Sequence, residues 1–347
     1  MADSSQEEGG YVAGKLCGSA GPAGVSPAGR HRSCRLGVRG RRLGTCQAAE
    51  GLVPDRPNAF YPDDKLDLDC LAAEVKFCNR GGVRGFVWPQ IASGWSTLSE
   101  RERLDGAEAV MAAGNSGKTS LVIGVQTKGT DLDGALRYAK HAAKAGADAI
   151  ISLPPENAGE QAMIDYYKAI GTVTELPLIV QSQGDMSVDL IIRLFEQIPT
   201  MKCVKDEAEN PLTRITQIRE RTKDRLAVFS GNGVRTLIDE MRLGFSGHCP
   251  TTGLADIYQQ AFDLWHSGNQ REAFDMFGRI QAFNTIPGVA GYIMVARGVF
   301  KETTRSRPTP GMREGSGGRG RGGTLDEAGK QVIREALNAY LKPYLKA

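Results

Sequence analysis

The chain has 347 residues, is 41% hydrophobic and 24% charged, and carries a formal net charge of +3. These values describe a globular chain long enough for one large core, and they exclude a generally basic nucleic-acid binder. No apolar run reaches the roughly 20 residues that span a bilayer, and seven cysteines with no C-x-x-C pair give neither a zinc pattern nor a disulfide framework, so reduced thiols and a cytoplasmic location are expected.

Residues 1–50 are rich in Gly, Ala, Ser and Arg and lack helical or strand periodicity, so they are read as a disordered extension. Arg30, Arg32, Arg35, Arg39, Arg41 and Arg42 cluster there without an acid. No aromatic residue is interleaved to stack on bases, which favours a solvated tail over a nucleic-acid site. Asp3, Glu7 and Glu8 count against an organellar transit peptide.

From about residue 51 a strand-then-helix unit repeats. A weak first strand lies near Gly51-Leu52-Val53, although the prolines Pro54 and Pro57 suit a loop or barrel edge. Asp67 caps a helix with a Leu68, Leu71, Ala72, Val75, Cys78 stripe, ended by Gly81-Gly82. Gly85 to Trp88 is a strand, and Ser99 with Glu102 forms a capping box for the next helix. Further strands are expected at 120–125, 149–153, 177–181, 201–206, 226–231 and 244–250. Helices are expected between them at 135–145, 163–170, 188–198, 212–221 and 234–241. Only helices follow, interrupted by a Gly/Arg-rich insertion at about 306–323, after which Thr324 and Glu327 supply a capping box. Eight alternating units with continuous apolar strands predict an α/β fold, a (β/α)8 TIM barrel spanning 51–345 with a C-terminal helical extension.

In such a barrel the catalytic face lies at the carboxyl ends of the strands. Lys205, Gln181, Ser152 and Ser230 fall there. Side chains alternate along a strand, so Met201, Cys203 and Lys205 share one face and Lys202 takes the other. An amine at the end of a buried strand is costly unless used, and burial favours its neutral, nucleophilic form. A lysine snorkelling to solvent is the alternative for the hexapeptide alone; the barrel placement favours the nucleophile. His248-Cys249 sits on the same rim, but adjacent residues cannot face each other as a nucleophile pair, so packing is expected. Trp88 and Trp95 fit either a pocket wall or core packing. Gly231-Asn232-Gly233 has the makings of a backbone phosphate site. Gly114 to Lys118 lacks P-loop spacing and precedes a strand rather than a helix.

Several local marks recur in a fixed order: Asp67-Leu68-Asp69, Gly82-Val83-Arg84-Gly85, Thr97-Leu98-Ser99 with Glu102-Arg103, and Ala145-Gly146-Ala147-Asp148-Ala149. Val204-Lys205-Asp206, Phe229-Ser230-Gly231, Leu243-Gly244-Phe245-Ser246-Gly247 and Arg307-Pro308 continue it. Together they resemble the dihydrodipicolinate synthase/N-acetylneuraminate lyase family, the pyruvate-dependent class I aldolases built on a TIM barrel. The resemblance implies that Lys205 forms an imine with pyruvate or a related 2-keto acid. It also implies a lyase reaction needing no metal or organic cofactor, and a homo-oligomer, dimer or tetramer. Apolar surface for that association is expected near Trp88, Trp95 and Tyr166-Tyr167.

The chain departs from the family at other positions. The family's Gly-Thr-Thr-Gly-Glu carboxylate loop aligns with Gln90-Ile91-Ala92-Ser93-Gly94, leaving Gln90 and Ser93 to bind the substrate. The family's Tyr-Asn pair aligns with Gln181-Ser182. An amide cannot relay protons near neutral pH, although it can orient a water, so Gln181 joins Lys205 in the catalytic set and Ser182 is expected to bind substrate. Ser230, Gly231 and Gly247 complete the substrate-binding set. Two readings follow: a Schiff-base lyase, and a catalytically silent barrel that binds a small acid or a protein partner.

Overall fold

A computed structural model of the chain describes residues 35–38, 41–44, 51–52, 58–208, 210–304, 307 and 325–346. Most of the expected amino-terminal extension and, apart from Arg307, the 306–323 insertion lie outside the described residues. Within the first fifty, β1 (Arg35–Val38) and β2 (Arg41–Gly44) form an antiparallel ladder.

The repeating unit takes the expected form. β3 (Gly51–Leu52) precedes α1 (Leu68–Gly81) and β4 (Gly85–Trp88) precedes α2 (Glu100–Gly114). β5 (Ser120–Gly124), α3 (Leu132–Ala145), β6 (Ala149–Ser152), α4 (Glu160–Val173), β7 (Leu178–Ser182) and α5 (Val188–Gln197) follow. Then come β8 (Met201–Asp206), α6 (Pro211–Thr222), β9 (Ala227–Ser230), α7 (Leu237–Arg242) and β10 (Gly247–His248). Eight strands make one sheet in the order β3-β10-β9-β8-β7-β6-β5-β4, every neighbouring pair parallel. β3 and β4 stand at its two ends, with Cα atoms within 8 Å of each other.

Local chemistry fixes the helix ends. The Asp67 carboxylate accepts from Cys70 N at 2.9 Å, and Gly82 closes α1 at φ 71°, a left-handed conformation that glycine adopts without steric cost. At α2, Ser99 N donates to Glu102 Oε2 at 2.8 Å while Ser99 Oγ accepts from Glu102 N, the two halves of the capping box. Four helices close the described chain: α8 (Ala255–His266), α9 (Gln270–Asn284), α10 (Val289–Ala296) and α11 (Glu327–Ala336). The last begins later than the sequence suggests. Its cap is Asp326, which accepts from Gly329 N at 2.8 Å. The cap therefore stands two residues beyond Thr324, which lies outside the described residues.

The strands are buried on both faces. Val87, Val122, Ile151, Ile179, Cys203 and Phe229 line one narrow apolar channel, with Lys205 at its carboxyl end. Their neighbours Phe86, Leu121, Ile150 and Val204 are equally buried against the helices. This explains the continuous apolar runs, which one-sided burial would have replaced by alternation. Trp88 belongs to the helix-facing set, and its ring fills the space over Gly106 of α2, where a Cβ would stand 2.1 Å from the indole. Trp88, Tyr166 and Tyr167 are core residues. They do not form the apolar surface expected of them for association. No helix among the described residues is long and apolar enough to cross a membrane.

Candidate active site

β8 sets the phase of the site. Lys202 is exposed, whereas Cys203 and Lys205 face the channel. Strand register then assigns the neighbours. Lys205 is paired with Gln181 on β7 and Phe229 on β9, so both share its face, as does Gly247, paired with Phe229. Ser182, Ser230 and Ser152 take the opposite face. The Ser182 hydroxyl donates to Asp206, which Arg214 of α6 grips through Nε at 2.8 Å and Nη2 at 3.1 Å. Ser230 donates to Glu240 of α7 at 2.8 Å, and Ser152 lies 2.9 Å from the Tyr166 hydroxyl. Ser182 and Ser230 were expected to meet substrate. Both are fully buried toward the helices, where they fix the strand ends from behind.

The Lys205 amine, with its side chain 6% exposed, lies 3.1 Å from Oε2 of Glu207. The same oxygen accepts from Nε2 of Gln181. Glu207 stands two residues beyond Lys205, so it continues the channel face past the end of β8. The sequence reading missed it, although the same alternation that placed Lys205 would have found it. Gly231 makes the room: a Cβ there would stand 1.7 Å from Oε1 of Glu207 and 3.1 Å from Cε of Lys205.

On the other side of the mouth, Gln90 donates through Nε2 to Oε1 of Gln126 at 3.0 Å, and Gln126 donates to Pro89 O at 2.8 Å. Gly124, on the channel face of β5, lies beneath this amide pair. Ser93 Oγ accepts from Gln90 N at 3.1 Å, and its carbonyl accepts from Asn58 Nδ2. Arg103 holds the rim from behind, donating to the carbonyls of Gly124, at 2.7 Å, and Gln126. Burial pulls its guanidinium down to about 10, against the pull of Tyr138 and Tyr166. No sequence pattern announced Gln126 or Asn58. They enter through tertiary packing alone.

Two buried side-chain carbonyl oxygens, Oε1 of Gln90 and Oε1 of Gln181, have no partner. An unmet buried acceptor costs about 1–3 kcal/mol. Such a cost is tolerable where a ligand supplies the donor. Cys249 lines the same channel, whereas His248 points to the helices and contacts Glu240 at 2.9 Å. The two are not a nucleophile pair, as their adjacency suggested.

A buried amine with a carboxylate at hydrogen-bond distance, at the carboxyl end of a parallel sheet, is an arrangement for carbonyl chemistry. The family model for the dihydrodipicolinate synthetase family matches residues 49–293. The chain belongs to that family. Family members are lyases and synthases of the class I aldolase type. The 4-hydroxy-tetrahydrodipicolinate synthase of Methanosarcina mazei is 29% identical over 196 residues, 54% of this chain and 65% of that protein. The match thus spans just under two thirds of that relative's length. The synthase of the same name from Rhizobium meliloti is 28% identical over 278 residues, 74% of this chain and 91% of that protein. Among solved structures, dihydrodipicolinate synthase from Rhodopseudomonas palustris superposes with a TM-score of 0.71 at 20% identity, covering 85% of this chain and 98% of its own. N-acetylneuraminate lyase from Mycoplasma synoviae gives 0.71 at 17% identity, covering 85% and 99%. At these identities the structural likeness establishes the fold alone.

Proposed function

We propose that this member of the family is a Schiff-base-forming lyase of the class I aldolase type, acting on pyruvate or a related 2-keto acid in the mouth of a closed (β/α)8 barrel. Lys205 is the nucleophile. The observation that carries the reading is its amine, buried at the head of an apolar channel beside a carboxylate. The family's imine position falls on the same residue. Attack on the keto carbon gives an imine that withdraws electrons from the neighbouring carbon–carbon bond, so that bond can form or break. Gln90 and Gln181 offer their unpartnered carbonyl oxygens to donors on the substrate, and Gly231, which leaves room for the Glu207 carboxylate, and Gly247 complete the substrate-binding set. Ser93, whose hydroxyl stands at the mouth beside Gln90, is the candidate for holding the carboxylate. The family's threonine pair and relay tyrosine are absent, so ordinary dihydrodipicolinate synthase activity is expected to be weak.

The test is reductive trapping. The protein is incubated with a panel of 2-keto acids, reduced with borohydride, and mapped by mass spectrometry. A stoichiometric adduct at Lys205, absent from Lys205→Ala and retained in Lys202→Ala, is expected. Scattered labelling of surface lysines that Lys205→Ala leaves unchanged would instead indicate a catalytically silent barrel.

A further inference from the structure

We infer that Glu207 is the acid–base residue of the Lys205 reaction, taking over the proton transfers for which Gln181 has no titratable group. The inference rests on the Schiff-base reading above and assigns to that site a residue outside the family motif. Three observations converge on it. Oε2 of Glu207 lies 3.1 Å from the Lys205 amine, within direct proton-transfer reach. Nε2 of Gln181 donates to that same oxygen and so aims the carboxylate at the amine. The backbone of Glu207 is held as well, its N–H donating to Ser182 Oγ at 3.2 Å and Ser182 O at 3.3 Å. The buried serine on the far face therefore positions the proton carrier.

Imine formation moves two protons from nitrogen to oxygen, and one carboxylate suffices to carry both in turn. Lys205 begins as an ammonium with three N–H bonds. Glu207 takes the first proton, freeing the lone pair that forms the C–N bond. The carbonyl π pair moves to oxygen, and Glu207 returns the proton there, giving a carbinolamine still protonated on nitrogen. Glu207 then accepts the second proton from nitrogen and delivers it to the hydroxyl, whose C–O bond breaks as water leaves. The product is a protonated imine with one N–H, and the two lost protons are in the water. Charge is conserved, the carboxylate ends as it began, and no further reactant enters.

A carboxylate that only compensates a buried ammonium would show the same static contact, so the experiment must read proton transfer. The rate of borohydride-trapped adduct formation is measured for wild type, Glu207→Gln, Glu207→Asp and Lys205→Ala across pH 5–9, with thermal melting as a folding control. Glu207→Gln keeps the shape and is expected to trap at Lys205 roughly 10²-fold or more slowly, with a flattened pH profile. Glu207→Asp, which keeps the chemistry and shortens the reach, is expected to recover part of the rate. A wild-type adduct at Lys205 with equal rate and pH profile in Glu207→Gln would overturn the assignment of Glu207 while leaving the lyase reading standing. Absence of any wild-type adduct would overturn both. Should Glu207→Gln melt early, a Glu207→Ala protein that melts as the wild type does carries the test, and a wild-type rate and profile there would overturn the assignment.

Discussion

A methyl group built at Gly231 would stand 1.7 Å from Oε1 of Glu207. Real Cβ contacts never come so near, so Gly231→Ala must push the carboxylate aside. The atom it displaces is the far end of a flexible side chain, which can swing away from Lys205 without unpacking the barrel. The expected outcome is a Lys205 that still traps a keto acid, but more slowly, since a displacement of about 1 Å at a reacting group can cost on the order of 10²-fold. Trapping kinetics of Gly231→Ala against wild type check this. A rate unchanged by the substitution would mean that the carboxylate is free to reposition. At this scale the sequence was legible along one strand and opaque between strands. Alternation from Met201 reaches Lys205 and would have reached Glu207. Whether Ser182 and Ser230 face the same way depends on how β7 and β9 register against β8, and nothing in either segment encodes that offset.

The elements behind the mouth carry a second buried polar cluster. His248 of β10 lies 2.9 Å from Glu240 of α7, and Glu240 accepts from Ser230 at 2.8 Å and Thr236 at 2.7 Å. Burial pushes the His248 imidazole below the usual histidine range, His266 adds to that, and Glu240 works against it. Burial would raise the Glu240 carboxyl, but its contacts with His248, Thr236 and Ser230 outweigh that and hold it low. As pH falls through about 6.5, the unfolded chain protonates His248 while the folded chain resists. Near about 4.3 the unfolded chain likewise protonates Glu240 first. In both windows the unfolded state binds more protons, so stability is full above about pH 7 and declines in two steps on acidification. A series of melting temperatures from pH 4 to 8 should show this, and His248→Gln, which keeps a donor for Glu240, should flatten the upper step. An unchanged upper step in that variant would assign it to another group. Helix boundaries, by contrast, were readable because caps are local: Asp67, Ser99, Gly82 and Gly146 each act on atoms a few residues away. The last strand was expected at 244–250 and is there, but its bounds were not readable: only Gly247 and His248 pair, and they take their strand geometry from β9 and β3 rather than from propensity.

Over the whole molecule, the first and last repeating units meet at one buried ion pair. Asp256 of α8 accepts from Nη1 and Nη2 of Arg297, each at 2.8 Å, and from the backbone N–H of Lys346 at 3.0 Å. The Arg297 guanidinium also lies 4.7 Å from the ring centroid of Phe77 in α1. Gly81 lets α1 come close enough that a Cβ there would stand 2.7 Å from Cβ of Asp256. One pair thus ties α1, α8, the end of α10 and the carboxyl-terminal segment together beside the ends of the sheet. Both side chains are essentially inaccessible, 1% for Arg297 and 0% for Asp256, so neither can recover hydration if the other is removed. Asp256→Ala should therefore cost about 3–5 kcal/mol, the range for a buried charge left unpaired. In a chain of this size that lowers the melting temperature by roughly 4–7 °C. Replacing both partners, Asp256→Ala with Arg297→Met, removes the stranded charge and should be less damaging than Asp256→Ala alone. Melting of the two single variants and the double variant decides the point. A double variant as unstable as the sum of the singles would show that the two residues act independently, and that the seam is held by its apolar packing.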